Sequence, residues 1–336
     1  MPNEIITGAL RGKGEYDWLA GGNSPIQRRI LNKNRNWKEI FIPNEVQIIG
    51  YGTDKQYESL LCVSFNGTTD AIEYIMMRQI ELGLIPEEKL QWLVDKGYFE
   101  NDKLNFNERY TGIIGGTSEI GAYVWSVAKG MKDFGLIPQK MFPFADNFKD
   151  NIDKKFLTQE MLNLGLEFKK RFPINFEWIA EEDTQEYLQY SPLACIGKYG
   201  NYQEGELLDP TGKMYHSMLM VNETQYYREI DDSYFQQYKK YKPSALNDFM
   251  AFYVDATDYS MFNREQFIST HDQYIVRNRN TGAYLVIYRK TPMIITPERA
   301  SLFLLDRVER GIVSDKNLVT TVSNDEWLIL DPTMKF

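Results

Sequence analysis

The sequence predicts an α+β fold in which helices come first and antiparallel strands follow. Amphipathic segments with helical spacing occupy the first half of the chain, and short apolar runs separated by Gly, Asn and Asp follow residue 188. The 336 residues exceed the usual size of one compact core, so we expect one large domain with extensions. A helical half and a strand half would meet at a cleft, which is a common place for a ligand site.

The composition excludes several classes of protein. With 43% hydrophobic, 14% aromatic and 25% charged residues, the chain is globular rather than disordered. Its formal net charge of -9 argues against a nucleic-acid partner, because such a partner requires a basic face. No run of eighteen apolar residues and no basic segment followed by an apolar one at the N-terminus occur, so we expect no membrane span and no secretion signal.

The predicted elements begin after a polar segment. Residues 1–50 are rich in Gly and Asn and predict an irregular N-terminal arm. A helix should start at Cys62, because apolar residues recur after it with helical spacing: Phe65, Ala71, Ile72, Ile75 and Met76. Further helices are predicted over about 121–134, which ends at a glycine, and over about 158–171.

The strand-like runs complete the main domain. Apolar runs at 192–196, 218–221 and 226–230 are bounded by turn-forming residues and predict antiparallel strands. The predicted domain therefore covers residues 51–240, with a helical half over about 51–185 and a β half over about 186–240.

A polar stretch after Tyr234 predicts a linker to a small α+β module over residues 241–336. In this module, Tyr274–Asn278 and Tyr284–Arg289 flank Arg-Asn-Thr-Gly, which is typical of a hairpin. A strand over 293–296 and a helix from Pro297 to about Arg310 should follow.

The chemistry available to the chain is limited, because it has only two cysteines and two histidines. A cysteine nucleophile reacts as the thiolate, which a helix N-terminus and an imidazolium both stabilise. Cys62 lies at a predicted helix start, and His216 could protonate a leaving amine while Asp232 orients its ring. Gln56 could donate its side-chain amide to a developing oxyanion. No metal or cofactor is needed for this chemistry.

The order and spacing of these residues resemble those of papain-like cysteine peptidases, especially the divergent versions encoded by bacteriophages and prophages. In that family a glutamine precedes the nucleophilic cysteine by six positions, as Gln56 precedes Cys62. The family histidine precedes the orienting residue of an Asn-Ser-Trp motif by about sixteen positions, as His216 precedes Asp232. The resemblance covers about residues 45–240.

Shorter matches lie between these residues. The segment Gly121-Ala122-Tyr123-Val124-Trp125-Ser126 is similar to the family's Gly-Gly-Tyr-Pro-Trp-Ser stretch, which implies that Gly121 and Ala122 bind the substrate backbone. Phe142-Pro143-Phe144 and Ser191-Pro192-Leu193 are similar to two further family segments. The chain departs from the family where Asp232 replaces Asn, Tyr234 replaces Trp and Val63 replaces Trp, and it lacks the family's disulfide cysteines.

The resemblance implies a papain-like fold, with the nucleophile helix in the helical half, and thiol-dependent hydrolysis of a peptide or protein substrate. It also implies a phage-encoded protein located in the virion or the host cytoplasm, with other virion proteins as partners. Two alternatives stay open. The same triad could transfer an acyl group to an amine, as in transglutaminase-like proteins, or the fold could serve as a structural virion component with weak or lost catalysis.

The remaining cysteine and histidine have simpler interpretations. Cys195 lies in an apolar strand-like run, so we expect a buried core residue and a free thiol. We expect His271 to be an exposed polar residue of the C-terminal module. A lone Cys62 on an apolar helix would also be a core residue, and the positions of Gln56, His216 and Asp232 favour an active site instead.

Overall fold

The structure, a computed structural model, describes residues 9–10, 29–40, 42, 61–145, 148–198, 206–211, 215–233, 238–256, 275–278, 283–288, 291–297, 299–300, 302 and 319–322. The chain divides into two compact units, Met1–Ala256 and Thr257–Phe336. The first unit combines helices with a mainly antiparallel sheet, so the predicted α+β class is confirmed.

The first unit contains a helical layer whose members come mostly from the first half of the chain. Its helices are α1 (Asp70–Glu81), α2 (Glu87–Asp95), α3 (Glu108–Ile114), α4 (Val124–Phe134), α5 (Phe148–Ile152), α6 (Gln159–Arg171) and α7 (Thr184–Tyr187). Among the described helices, none is both long and apolar enough to cross a membrane.

Local signals explain where these helices begin and end. The side chain of Asn107 accepts a hydrogen bond from the Tyr110 N–H and caps α3, and Thr158 caps α6 through Met161 in the same way. Helix α4 stops at Gly135, whose φ of 73° is accessible to glycine at little cost. Both predicted helices over 121–134 and 158–171 are confirmed, with starts at Val124 and Gln159.

A seven-stranded sheet forms the second layer of this unit. Its order is β5-β11-β6-β8-β9-β10-β7, and neighbours are antiparallel except β10 and β7, which are parallel. The strands are β5 (Ile174–Ile179), β6 (Leu193–Lys198), β7 (Leu207–Leu208), β8 (Tyr215–Glu223), β9 (Arg228–Asp231), β10 (Tyr238–Tyr241) and β11 (Leu246–Val254). Earlier in the described part of the chain lie four two-residue strands: β1 (Ala9–Leu10), β2 (Phe99–Glu100), β3 (Lys103–Leu104) and β4 (Ala122–Tyr123).

The hydrophobic core lies between the helices and the sheet. Strand β6 is apolar and buried over Leu193–Gly197, which is the pattern of a strand covered on both faces. Helix α1 packs on β11, where the Gln79 side chain donates to the Val254 carbonyl over 2.8 Å. Helix α4 packs on β5 and α6, so buried side chains of helices and strands form one continuous cluster.

The second unit contains a four-stranded sheet of order β14-β13-β12-β15. Its strands are β12 (Ile275–Asn278), β13 (Tyr284–Tyr288), β14 (Thr291–Ile295) and β15 (Val319–Val322). The predicted hairpin is confirmed, because β12 and β13 pair antiparallel with Ile275 opposite Val286. Most of the predicted helix after Pro297 lies outside the described residues.

Several strands were not predicted, and three of them change the extent of the main domain. Strand β5 falls inside the predicted helical half, and β10 falls inside the predicted linker. Strand β11 follows the predicted boundary at residue 240, yet it pairs with both β5 and β6 in the main sheet. The first unit therefore continues to Ala256, because a strand bonded on both edges belongs to the sheet that surrounds it.

Candidate active site

Cys62 lies in the turn before the long helix of the first unit, three residues ahead of the helix that was predicted to start at Cys62. The helix begins with a π-helical turn, Phe65–Thr69, and continues directly as α1. The Cys62 carbonyl accepts the Gly67 N–H at 3.2 Å, five residues on, which is the hydrogen-bond spacing of a π-helix. The turn packs against β6, β8 and α4, so it places Cys62 between the sheet and the helical layer. The Cys62 thiol is free and fully buried.

Gly67 allows this turn to approach the sheet closely. A Cβ atom at position 67 would lie 2.2 Å from the Ser217 hydroxyl oxygen, so a larger residue would force the turn away from β8. The Ser217 N–H donates to the Cys62 sulfur over 3.5 Å. The glycine therefore brings the thiol within reach of the strand that carries His216.

His216 and Asp232 meet although they are 16 positions apart in sequence. His216 lies in β8, and Asp232 follows directly after β9, which pairs antiparallel with β8. The His216 Nε2 atom is 2.8 Å from Asp232 Oδ1, and both side chains are almost completely buried. An ionised carboxylate only accepts hydrogen bonds, so Nε2 carries the proton in this bond.

The ring of His216 also interacts with Cys62. Burial disfavours the imidazolium, but the neighbouring Asp232 carboxylate and Cys62 raise the pKa of His216 from 6.5 to about 9. Because Nε2 is bonded to Asp232, Nδ1 is the ring nitrogen that faces Cys62. The structure thus brings together Cys62, His216 and Asp232, which we call the triad.

Asp232 has a second partner that the sequence analysis missed. The Lys239 ammonium lies 2.7 Å from Asp232 Oδ2, and both groups are buried. Burial would raise the pKa of the Asp232 carboxyl, but His216 and Lys239 together hold it below its usual value. Lys239 lies in the polar stretch that was predicted to be a linker. The sequence Tyr-Lys-Lys-Tyr over 238–241 does not alternate between apolar and polar residues, although Lys239 and Tyr241 are buried, so no period-two signal marked this strand.

The predicted substrate-binding segment is already paired with another part of the chain. Ala122–Tyr123 forms β4, which pairs in parallel with Ala9–Leu10, and this N-terminal strand also packs against β8. Gly121 has a φ of 102°, a conformation that side chains rarely adopt, so it turns the chain into β4. Gln56 and His271 lie outside the described residues.

Cys195 is a core residue, as predicted. It lies fully buried in β6, and its sulfur is 3.6 Å from the Met218 carbonyl oxygen. Burial raises the pKa of its thiol to about 12, which keeps it protonated at neutral pH. Within the part of the chain that the structure describes, no group of three or more His, Cys, Asp or Glu side chains is placed to hold a metal ion.

The protein resembles solved structures of two peptidase precursors. One is the digestive procathepsin L 3 of Tenebrio molitor larval midgut, with a TM-score of 0.39 and 10% identity over 68% of this chain and 76% of that one. The other is a recombinant stem bromelain precursor, with a TM-score of 0.41 and 10% identity over 70% of this chain and 76% of that one. No protein-family model matches the sequence. No curated protein matches it either.

Proposed function

We propose that this protein is a papain-like cysteine peptidase that hydrolyses peptide bonds through an acyl-enzyme on Cys62. The observation that carries the proposal is the buried contact of His216 with both Cys62 and Asp232, from segments far apart in sequence. A nucleophile, a base and a group that orients the base are the parts that acyl transfer requires.

The reaction follows from the protonation states of these groups. The Cys62 thiolate attacks the peptide carbonyl carbon, and the Ser217 N–H and the adjacent helix N-terminus stabilise the thiolate before attack. As the C–N bond breaks, His216 gives its Nδ1 proton to the leaving amine, and a thioester remains on Cys62. The neutral ring then takes a proton from water, whose oxygen attacks the thioester. Breaking of the C–S bond releases the acid and restores the thiolate and imidazolium.

Asp232 keeps the ring in the required orientation throughout these steps. Its bond to Nε2 fixes the proton on that nitrogen and leaves Nδ1 for the exchange with Cys62 and the substrate. Gln56 and the Cys62 N–H are the proposed donors to the oxyanion. Gly121 and Ala122 are the proposed partners of the substrate backbone.

Turnover of a mixed library of fluorogenic peptides tests the proposal. We expect wild-type protein to cleave a subset of the library and to lose this activity after treatment with iodoacetamide. Mass spectrometry should locate the modification at Cys62 rather than at Cys195, whose thiol stays protonated. Absence of cleavage, together with equal labelling of both cysteines, would reject the proposed peptidase.

The pH dependence of hydrolysis gives a second prediction. The imidazolium is needed both to stabilise the thiolate and to protonate the amine, and the pKa of His216 is about 9. Activity should therefore persist through pH 8 and fall as the pH rises through about 9. A profile of kcat/KM against pH checks this. An alkaline limb centred near 6.5, the ordinary value of histidine, would show that His216 is not coupled to Asp232 and Cys62.

A second candidate function is acyl transfer to an amine by the same triad. It is favoured by the carboxylate of Asp232, since the transglutaminase-like proteins use Cys, His and Asp. Product analysis with an added primary amine separates the two functions, because only a transferase would form the new amide as its main product. A phage origin and a place in a virion stay predictions.

A further inference from the structure

Lys239 is a lysine buried in the sheet of the first unit. Along β10 the side chains alternate, with Lys239 and Tyr241 buried and Tyr238 and Lys240 partly exposed. The Lys239 side chain is only 3% exposed. Removing a lysine ammonium from water has a large free-energy cost, so a buried one needs hydrogen-bond acceptors or an anionic partner.

That partner is the carboxylate of the triad. Asp232 uses Oδ1 to accept from His216 Nε2 at 2.8 Å and Oδ2 to accept from Lys239 Nζ at 2.7 Å. Each oxygen therefore has one cationic donor. Asp232 therefore lies between two buried donors, the His216 ring and the Lys239 ammonium.

The other ionisable groups near Asp232 do not replace this partner. Burial and the nearby Asp232 charge raise the pKa of the Cys195 thiol on β6, so this thiol stays protonated. Arg228 forms ion pairs with Glu223 and Glu181. The groups beside β9 and β10 form a separate set in which Tyr74 of α1 donates to Asp231 and contacts Tyr238, and Lys38 pairs with Glu229.

We propose that Lys239 is a positioning residue of the triad: its ammonium neutralises Asp232, so that the pair offers His216 an acceptor without net charge. The role rests on the proposed function. A papain-like peptidase commonly has asparagine at this place, which is also a neutral acceptor. In this chain the Asp232–Lys239 pair would do the same work with two residues.

The physical reason concerns the acidity of His216. A carboxylate with no other cation would attract the imidazolium proton more strongly and raise the pKa of His216 further. A stronger base is a weaker acid, so proton transfer to the leaving amine would slow. Lys239 limits this effect while the carboxylate keeps its hydrogen bond to Nε2.

The alternative is that Lys239 only joins β10 to the end of β9. Substitutions that change the charge of the pair separate the two roles. Only the positioning role predicts that a second substitution restores what the first one removes. Lys239→Met leaves the Asp232 charge without its cation, Lys239→Gln keeps a donor without charge, and Asp232→Asn combined with Lys239→Met restores a neutral acceptor. Lys89→Met is the control, since Lys89 is another buried lysine, which donates to the Arg171 and Ala256 carbonyls.

The histidine ring signal measured by NMR against pH gives a readout that stability alone would not move. The chain has two histidines, so a His271→Gln background leaves His216 as the only signal. In this background, Lys239→Met and Lys239→Gln should move the His216 midpoint upward, and the double variant should return it toward or below the parent. Lys89→Met should leave it unchanged. Peptide turnover should fall about tenfold in kcat for Lys239→Met with little change in KM, and most of the loss should be recovered in the double variant.

An unchanged His216 midpoint in both single variants would overturn the proposal, whatever their stability. If Lys239→Met does not fold, Lys239→Gln and the double variant give the same comparison. A wild-type protein without peptide turnover but with a Lys239-dependent midpoint would reject only the proposed function. Peptide turnover together with a His216 midpoint that does not change in the Lys239 variants would reject only the positioning role.

Discussion

Replacing Cys62 with alanine should reduce peptide hydrolysis at least about a thousandfold, because the acyl-enzyme cannot form without its sulfur. Residual cleavage would come from binding and oxyanion donors alone, which leave most of the barrier in place. The protein should stay folded, since Cys62 is a small buried residue and alanine removes a single sulfur atom.

The matched control is Cys195→Ala, which removes the other buried thiol. Cys195 lies in β6 and its thiol is protonated at neutral pH, so this variant should keep its activity per folded molecule. Initial rates on the best library peptide, with circular dichroism to measure folded protein, decide the comparison. Equal rates for wild type and Cys62→Ala would mean that another group performs the hydrolysis.

Replacing Asp232 with alanine should destabilise the first unit by about 3–5 kcal/mol, because it leaves two buried cations without their shared anion. His216 and Lys239 both donate to this carboxylate, and both are buried. Hydrolysis should also fall steeply, since the ring loses the bond that fixes its orientation. Urea unfolding followed by tryptophan fluorescence measures the free energy of unfolding.

The free energy of unfolding of the wild-type protein should depend on pH in a defined direction. The pKa of His216 is raised to about 9 in the folded protein, so its interaction stabilises the fold fully below about 6.5 and is lost as the pH rises through about 9. The pKa of Asp232 is lowered, so its contribution is present above about 3.9 and is lost as the pH falls through its folded value. The wild-type stability should therefore decrease between pH 6.5 and 9 by as much as about 3 kcal/mol.

Asp232→Asn is the control for shape, because it keeps an oxygen for His216 and removes the charge. This variant should be less stable than the wild type, because Lys239 loses its anionic partner. It should keep more activity than Asp232→Ala. A loss of less than about 1 kcal/mol in Asp232→Ala at pH 6 would show that the buried cations find other partners.

The sequence predicted the elements that have a clear local signal. The helices over 121–134 and 158–171 carry helical periodicity and a stop or cap signal, and both formed within a few residues of the prediction. Strands β5 and β11 were missed because their place in the sheet depends on long-range pairing. Residue 249, for example, pairs with residue 179. The division after Ala256 follows from that pairing.

The candidate site was also predicted only in part, because some of its contacts depend on long-range strand pairing. Cys62, His216 and Asp232 were selected by residue type and spacing, and the structure brings them together. Lys239 was missed because a lysine in a polar stretch indicates an exposed residue, and only the strand pairing of β9 with β10 turns it toward Asp232. The roles of Gln56, Gly121 and Ala122 stay predictions.

The parallel pairing of Ala9–Leu10 with Ala122–Tyr123 has a consequence for any measurement of substrate affinity. One edge of a strand bonds one partner at a time, so a peptide that uses the same edge must displace the chain's own segment. A tethered segment competes at an effective concentration on the order of millimolar, however dilute the protein is. If this edge binds substrate, the KM of the intact chain would exceed the KM of the same site without the paired N-terminal segment. Dilution of the protein would not relieve the competition.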